Sequence, residues 1–208
     1  MAILKQEDLS LEIRYKGFQD GWVEYEFFYC WQGESVINDA ILKRSNEYWG
    51  SRSPGAMLAN EHRECGILPL LKKVLQINQP DYWESLDPDV TIAIYPEQHF
   101  PFLESKWKVV LEKDEVKQKR IEREKEKTEK GLLPDDYIDI ILFFDVYNFK
   151  GASAYYGDGI CFKMTVTRAQ LTRFYEDFKK EYIHFKQKYA VDEFNKEDYG
   201  EDWQPLEL

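Results

Sequence analysis

The stretch "ICFKMTVTRAQLTRFYEDFKKEYIHFKQKY", residues 160–189, changes character in its middle. Ile160–Val166 reads as a β-strand. Thr167, with Gln170 three residues on, is a capping box that opens a helix. Beyond it Leu171, Phe174, Tyr175, Phe178, Tyr182, Phe185 and Tyr189 recur at helical spacing and give one broad aromatic face. A face that wide must be buried. The natural surface for it is the sheet to which the preceding strand belongs.

Strand signals in the rest of the chain supply that sheet. Leu9, Leu11, Ile13 and Tyr15 alternate with Ser10, Glu12 and Arg14, and in "WVEYEFFYCW" Val23, Tyr25, Phe27, Tyr29 and Trp31 share a face. Gln32-Gly33-Glu34 reads as a turn into a short returning strand, Ser35–Asn38. Residues Asn46–Asn60 read as loop. "ECGILPLLKKVLQINQP" reads as a helix with Pro69 in its first turn and Pro80 as its stop. Strands follow at Val90–Pro96 and Lys106–Glu112. "YIDIILFFDVY", Tyr137–Tyr147, is apolar on both faces except for Asp139 and Asp145, so it is expected at the centre of the sheet. The class is α+β: a mainly antiparallel sheet, one helix in the first half, and a long C-terminal helix covering one face. Residues 1–190 form a single domain in this reading, with a charged helical or mobile insertion at 112–134. Residues 191–208 are an acidic tail, expected to be loosely held, with Phe194, Tyr199 and Trp203 as its possible anchors.

The chain has 208 residues, 16% of them aromatic, which is the composition of a folded protein. The start, "MAILKQEDLSLEIRYKG", carries no basic segment followed by an apolar run, and no stretch approaches the ~20 apolar residues of a membrane span. Cys30, Cys65 and Cys161 are scattered and odd in number, which points to reduced thiols. The expectation is a cytoplasmic protein with no membrane contact.

The formal net charge is -11. From Val191 to Leu208 seven acids stand against one lysine, so -6 of it lies in the tail. In "KQKRIEREKEKTEKG", Lys117–Gly131, the signs alternate, and the only apolar residue is Ile121. That run is no polycation and has no heptad seam. With no cluster of Lys and Arg to neutralise phosphates, nucleic acid is not an expected partner.

No catalytic or metal signature emerges. His62 and Cys65 make an isolated H-x-x-C, short of the three or four ligands that zinc needs. His99 and His184 lack an evident orienting acid and nucleophile. Asp139 and Asp145, six apart on one strand face, are too far apart to act as a glycosidase pair with each other, and are expected near a strand end or an exposed edge. "GSRSPG" lacks the lysine of a phosphate loop. "SAYYGDG" sets Tyr155, Tyr156 and Asp158 among glycines, a loop suited to recognition.

The meander "WVEYEFFYCWQGESVIND" and the ending "CFKMTVTRAQLTRFYEDF", about residues 22–39 and 160–178, resemble the layout of small bacterial immunity proteins of polymorphic and contact-dependent toxin systems. The resemblance implies a sheet with a covering helix and a cytoplasmic inhibitor that blocks a toxin by binding it. It carries no binding motif, so no residue role comes with it. The expected function is therefore non-catalytic protein binding, without cofactor or metal, with a basic toxin domain as partner. Tyr155, Tyr156, Asp158, Asp192, Glu193, Asp198, Glu201 and Asp202 are the candidate contact residues. The alternatives are a structural or regulatory domain without a pocket, and a carboxylate-dependent hydrolase acting on carbohydrate.

Overall fold

A computed structural model of the chain describes residues 2–19, 21–36, 56–59, 66–85, 90–96, 122, 137–145, 158–202 and 205–206. Most of the insertion, the expected strand Lys106–Glu112, the loop with Tyr155 and Tyr156, and His62, Cys65 and His99 lie outside those residues.

The strands form two antiparallel sheets rather than one. In the first, β1 (Ile3–Gln6), β2 (Leu9–Gln19), β3 (Trp22–Trp31) and β4 (Glu34–Ser35) pair in sequence order, and β5 (Ala56–Ala59) adds to β3. The second, after helix α1 (Ile67–Ile77), is β6 (Asp81–Glu84), β7 (Val90–Pro96), β8 (Tyr137–Asp145) and β9 (Gly159–Thr167), again in order. β8 is central, as its two apolar faces require. β5 falls in a stretch whose Gly, Ser and Pro content reads as loop. The β2–β3 register shifts between Tyr15 and Gly17, a bulge beyond which β2 runs on to Gln19.

The two sheets face each other across one core, with their strands crossing. On β3, Tyr25 packs edge-on against Trp83 of β6 at 6.0 Å and Phe27 edge-on against Phe144 of β8 at 5.9 Å, while Tyr29 lies tilted against Phe162 of β9 at 4.5 Å. Trp83, Ile92, Leu142 and Phe162 lie opposite one another along the second sheet. β3 therefore runs across that sheet, in the near-orthogonal packing mode.

Helix α2 (Arg168–Tyr189) closes the core. Its capping box is formed: Gln170 donates its backbone N–H to Thr167 Oγ1 at 3.2 Å, and Gln170 Oε1 accepts from the Thr167 N–H at 2.8 Å. Its aromatic face touches both sheets, through β1 and β2 on one side and β8 and β9 on the other. Phe178 stacks on Tyr15 at 4.6 Å, and Tyr182 and Phe185 crowd the same ring. Arg168 reaches the C-terminal end of α1, donating to the Leu75 carbonyl and to the side chain of Asn78, the left-handed residue that caps that helix. A cation there also complements the α1 dipole.

Beyond Ala190 the chain turns into a further helix, α3 (Val191–Tyr199), and a 3₁₀ turn (Gly200–Asp202). The expected loose tail is thus ordered at its start. Val191 and Asn195 are buried, and Phe194 meets Phe18 edge-on at 5.3 Å. Leu206 is buried as well.

Candidate functional site

The acids expected to contact a partner gather mainly on α3. Ala190, at φ 49 and ψ 45, ends α2 and starts α3. Across that elbow Lys186, in the last turn of α2, pairs with Asp192, in the first turn of α3, at 2.5 Å. Each charge also suits the helix end it occupies. Asp192 is therefore half engaged within the fold. Glu193, Asp198 and Glu201 are exposed and point no charge inward; Glu197, one turn beyond Glu193, joins them. Asp202 lies in the 3₁₀ turn. Phe194 and Tyr199 show 37% and 48% of their surface amid these acids. Asp158 is exposed but stands elsewhere, immediately before β9, while Tyr155 and Tyr156 fall outside the described residues. The structure thus unites the acids of α3 and separates Asp158 from them.

The two aspartates of β8 are not at an exposed edge. Asp145 ends the strand and Asp139 is its third residue, yet both are buried, on the face turned away from the helix-covered core. Asp139 accepts a hydrogen bond from Thr165 Oγ1 at 2.6 Å and pairs with Lys163 Nζ at 2.8 Å. Thr165 stands directly opposite Asp139 on β9, and Lys163 is the next residue on that face. A carboxylate so deep persists because both oxygens are engaged. The cluster is a cross-strand tie.

Among the described residues, two clefts open on the surface. One, of about 550 Å³, lies between α1 and β6 and is lined by Pro69, Leu70, Lys73, Tyr82, Trp83 and Leu206; Lys73 pairs with Asp81 at its margin, at 2.8 Å. The other, of about 510 Å³, runs along α2. Its apolar side is Tyr15, Phe185 and Tyr189, and its charged side includes Asp177, Lys180, Glu181 and His184. Among the described residues no three His, Cys, Asp or Glu side chains come together as a metal site.

Cys30 and Cys161 are free thiols. Burial pushes the Cys161 thiol up, although the residue as a whole is exposed, so the sulfur is kept protonated and is a poor nucleophile. Burial, with Cys161 as a lesser contributor, likewise raises the Tyr29 hydroxyl, which donates to the Lys163 carbonyl.

Trp31 escaped the sequence reading. Alternation places it on the core face of β3, but it is 56% exposed. Tyr29 already reaches β9, the last strand of the second sheet, so the next side chain on that face overhangs the edge. Only the relative placement of the two sheets reveals this.

Among the described residues no helix is long and apolar enough to cross a membrane. No protein-family model, curated protein or solved structure matches the chain.

Proposed function

We propose that this chain is a non-catalytic protein-binding domain, most specifically an immunity-type inhibitor that neutralises a basic toxin domain by binding it in the bacterial cytoplasm, without a cofactor. The observation that carries this reading is α3. Glu193, Glu197 and Asp198 on α3, and Glu201 in the 3₁₀ turn that follows, are exposed, and α3 is anchored by Val191, Asn195 and Phe194, so the charge is held in a fixed place. A fixed acidic surface speeds the capture of a basic partner and orients it. The two stretches that resemble immunity proteins support the same reading. They correspond to β3 with the turn into β4, and to β9 with the first half of α2.

The test is whether a toxin-like reading frame lies directly upstream and whether its product associates with this chain, followed by biolayer interferometry at several salt concentrations. Truncation after Ala190 would confound it, because Val191, Asn195 and Leu206 are buried. Glu193→Gln, Glu197→Gln, Asp198→Asn and Glu201→Gln together remove four charges from the chain's -11 and leave -7. The combined variant is expected to bind about 3- to 10-fold more slowly near physiological salt, with its off-rate changed about two-fold at most. An on-rate indifferent to both salt and these substitutions would defeat the steering argument, and no association at all would defeat the reading.

A carboxylate-dependent hydrolase has one observation in its favour: Asp177 and Glu181 line the same aromatic-sided cleft. Both project from one stripe of α2, however, and Asp177 is paired with Lys180 at 3.0 Å. Glycoside hydrolysis needs carboxylates on opposite sides of the scissile bond, which a single helix stripe does not provide.

A further inference from the structure

The outer edge of β9 is closed at one end and open at the other. Thr165 donates its backbone N–H to Gln6 Oε1 at 2.7 Å, and the Lys163 carbonyl accepts from the Tyr29 hydroxyl at 3.3 Å. Both groups point away from β8. By the alternation of an antiparallel ladder, the N–H and C=O of Cys161 point the same way. Among the described residues only β8 pairs with β9 as a strand. Asp158, Gly159, Ile160 and Cys161 are all exposed, Ile160 to 43%. An edge of this kind is a template for another chain.

The surroundings narrow what that chain would be. Ile160 and Trp31 each lie two residues from the Tyr29–Phe162 contact, roughly 6.6 Å of strand rise, on different strands. Val36, 40% exposed, is held beside them by its amide, which donates to the Tyr29 carbonyl at 2.8 Å. The rim is acidic. Glu7, Asp8 and Glu34 are exposed around the β3–β4 turn, where Gln32 donates its amide to the Asp8 carbonyl at 2.8 Å, and Asp158 precedes β9.

We propose that the open half of β9, flanked by Trp31, is where a partner protein adds an extended segment that carries apolar side chains next to Lys or Arg. This rests on the protein-binding reading above and gives it a docking mode. The backbone groups of the edge select an extended main chain. Trp31 and Ile160 select the apolar side chains, and the rim acids select the cations.

The experiment uses a phage-displayed library of random linear 12-residue peptides, selected on the full chain. Cys161→Pro removes an outward N–H and obstructs the edge while leaving the β8 ladder intact, which is where proline is tolerated in sheets. Enriched peptides are expected to bind Cys161→Pro about ten-fold more weakly or worse. They should bind Cys161→Ser unchanged and Trp31→Ala more weakly, with thermal melts confirming that each variant is folded. Hydrogen exchange on the wild-type complex gives the same answer without a substitution, because the Cys161 amide should gain protection. The proposal is overturned if no peptide is enriched, or if enriched peptides bind the proline variant as tightly and leave that amide exchanging. It is also overturned if the wild-type chain is a dimer that Cys161→Pro dissociates, since the occupant would then be a second copy. None of these outcomes touches the protein-binding reading, which fails if no toxin-like domain encoded upstream binds the chain.

Discussion

Phe178→Ala tests the architecture most directly. The ring is fully buried where α2 meets the first sheet, stacked on Tyr15 at 4.6 Å and on Phe174 at 5.8 Å, with Tyr25 at 6.5 Å beyond. Truncating a buried phenylalanine costs about 3–5 kcal/mol in lost transfer energy and residual cavity. The stacked neighbours put this site near the top of that range, because aromatic pairs contribute about 0.5–1.5 kcal/mol beyond their buried area. An ordinary domain has only about 5–15 kcal/mol to lose, so the variant should be marginal at 37 °C. Ile183→Ala is the control: it sits on the same helix, is 37% exposed, and should change stability by no more than about 0.5 kcal/mol. Urea unfolding followed by tryptophan fluorescence measures both, and Trp83, which touches Tyr25, reports from the same core. The Phe178→Ala midpoint should fall at unchanged slope. A difference between the two variants below about 1 kcal/mol would refute the packing of α2 against the first sheet.

Gly159→Ala should destabilise by about 1–3 kcal/mol in the same assay, as overpacking does. A Cβ there would fall 1.9 Å from the Phe144 carbonyl oxygen and 2.8 Å from the Phe143 ring, and an unchanged midpoint would mean that the start of β9 is placed wrongly. Stability should also fall in alkali. Burial raises the Cys161 thiol and the Tyr29 and Tyr175 hydroxyls above their ordinary 9.0 and 10.0, so above those values the folded chain holds protons that the unfolded chain releases. Their contribution is complete below pH 9 and is lost as pH rises through the folded-state values. Urea midpoints between pH 7 and 10.5 check this: Cys161→Ser should abolish the earliest part of the decline, and a profile flat to the top of the range would contradict the desolvation of these three groups.

The elements legible in the sequence are those set by local chemistry. The capping box at Thr167 and the seven-residue aromatic stripe announce α2, and the double apolar face of Tyr137–Asp145 announces a central strand. What stayed hidden depends on distant partners. Asp81–Glu84 is four residues long with Trp83 as its one buried side chain, so its strand character comes from pairing with β7. The division into two crossed sheets depends on Tyr25, Phe27 and Tyr29 meeting residues far along the chain, and no local period encodes that. The site divides the same way. The acids of α3 could be counted from the sequence, but their anchoring through Val191 and Asn195 could not. Asp139 does lie near a strand end, as expected, but its burial could not be read locally because its partners, Lys163 and Thr165, lie on the next strand.

The crossing of β3 over the second sheet also bears on how the chain is made. The Tyr29 hydroxyl bonds to a carbonyl 134 residues later, and Phe27 and Tyr29 rest on strands that begin only at Tyr137 and Gly159. At about 5–20 residues per second, a ribosome needs roughly 5 to 20 s after finishing β3 before β8 starts to emerge. For that interval the β2–β3 hairpin holds out a row of aromatic side chains that nothing yet synthesised can fully cover. Long-range closure of this kind is slow and leaves sticky surface exposed on the nascent chain. A cell making this protein is therefore expected to depend on its chaperones for the first half of the chain, and to see it aggregate when translation stalls before the second sheet is complete.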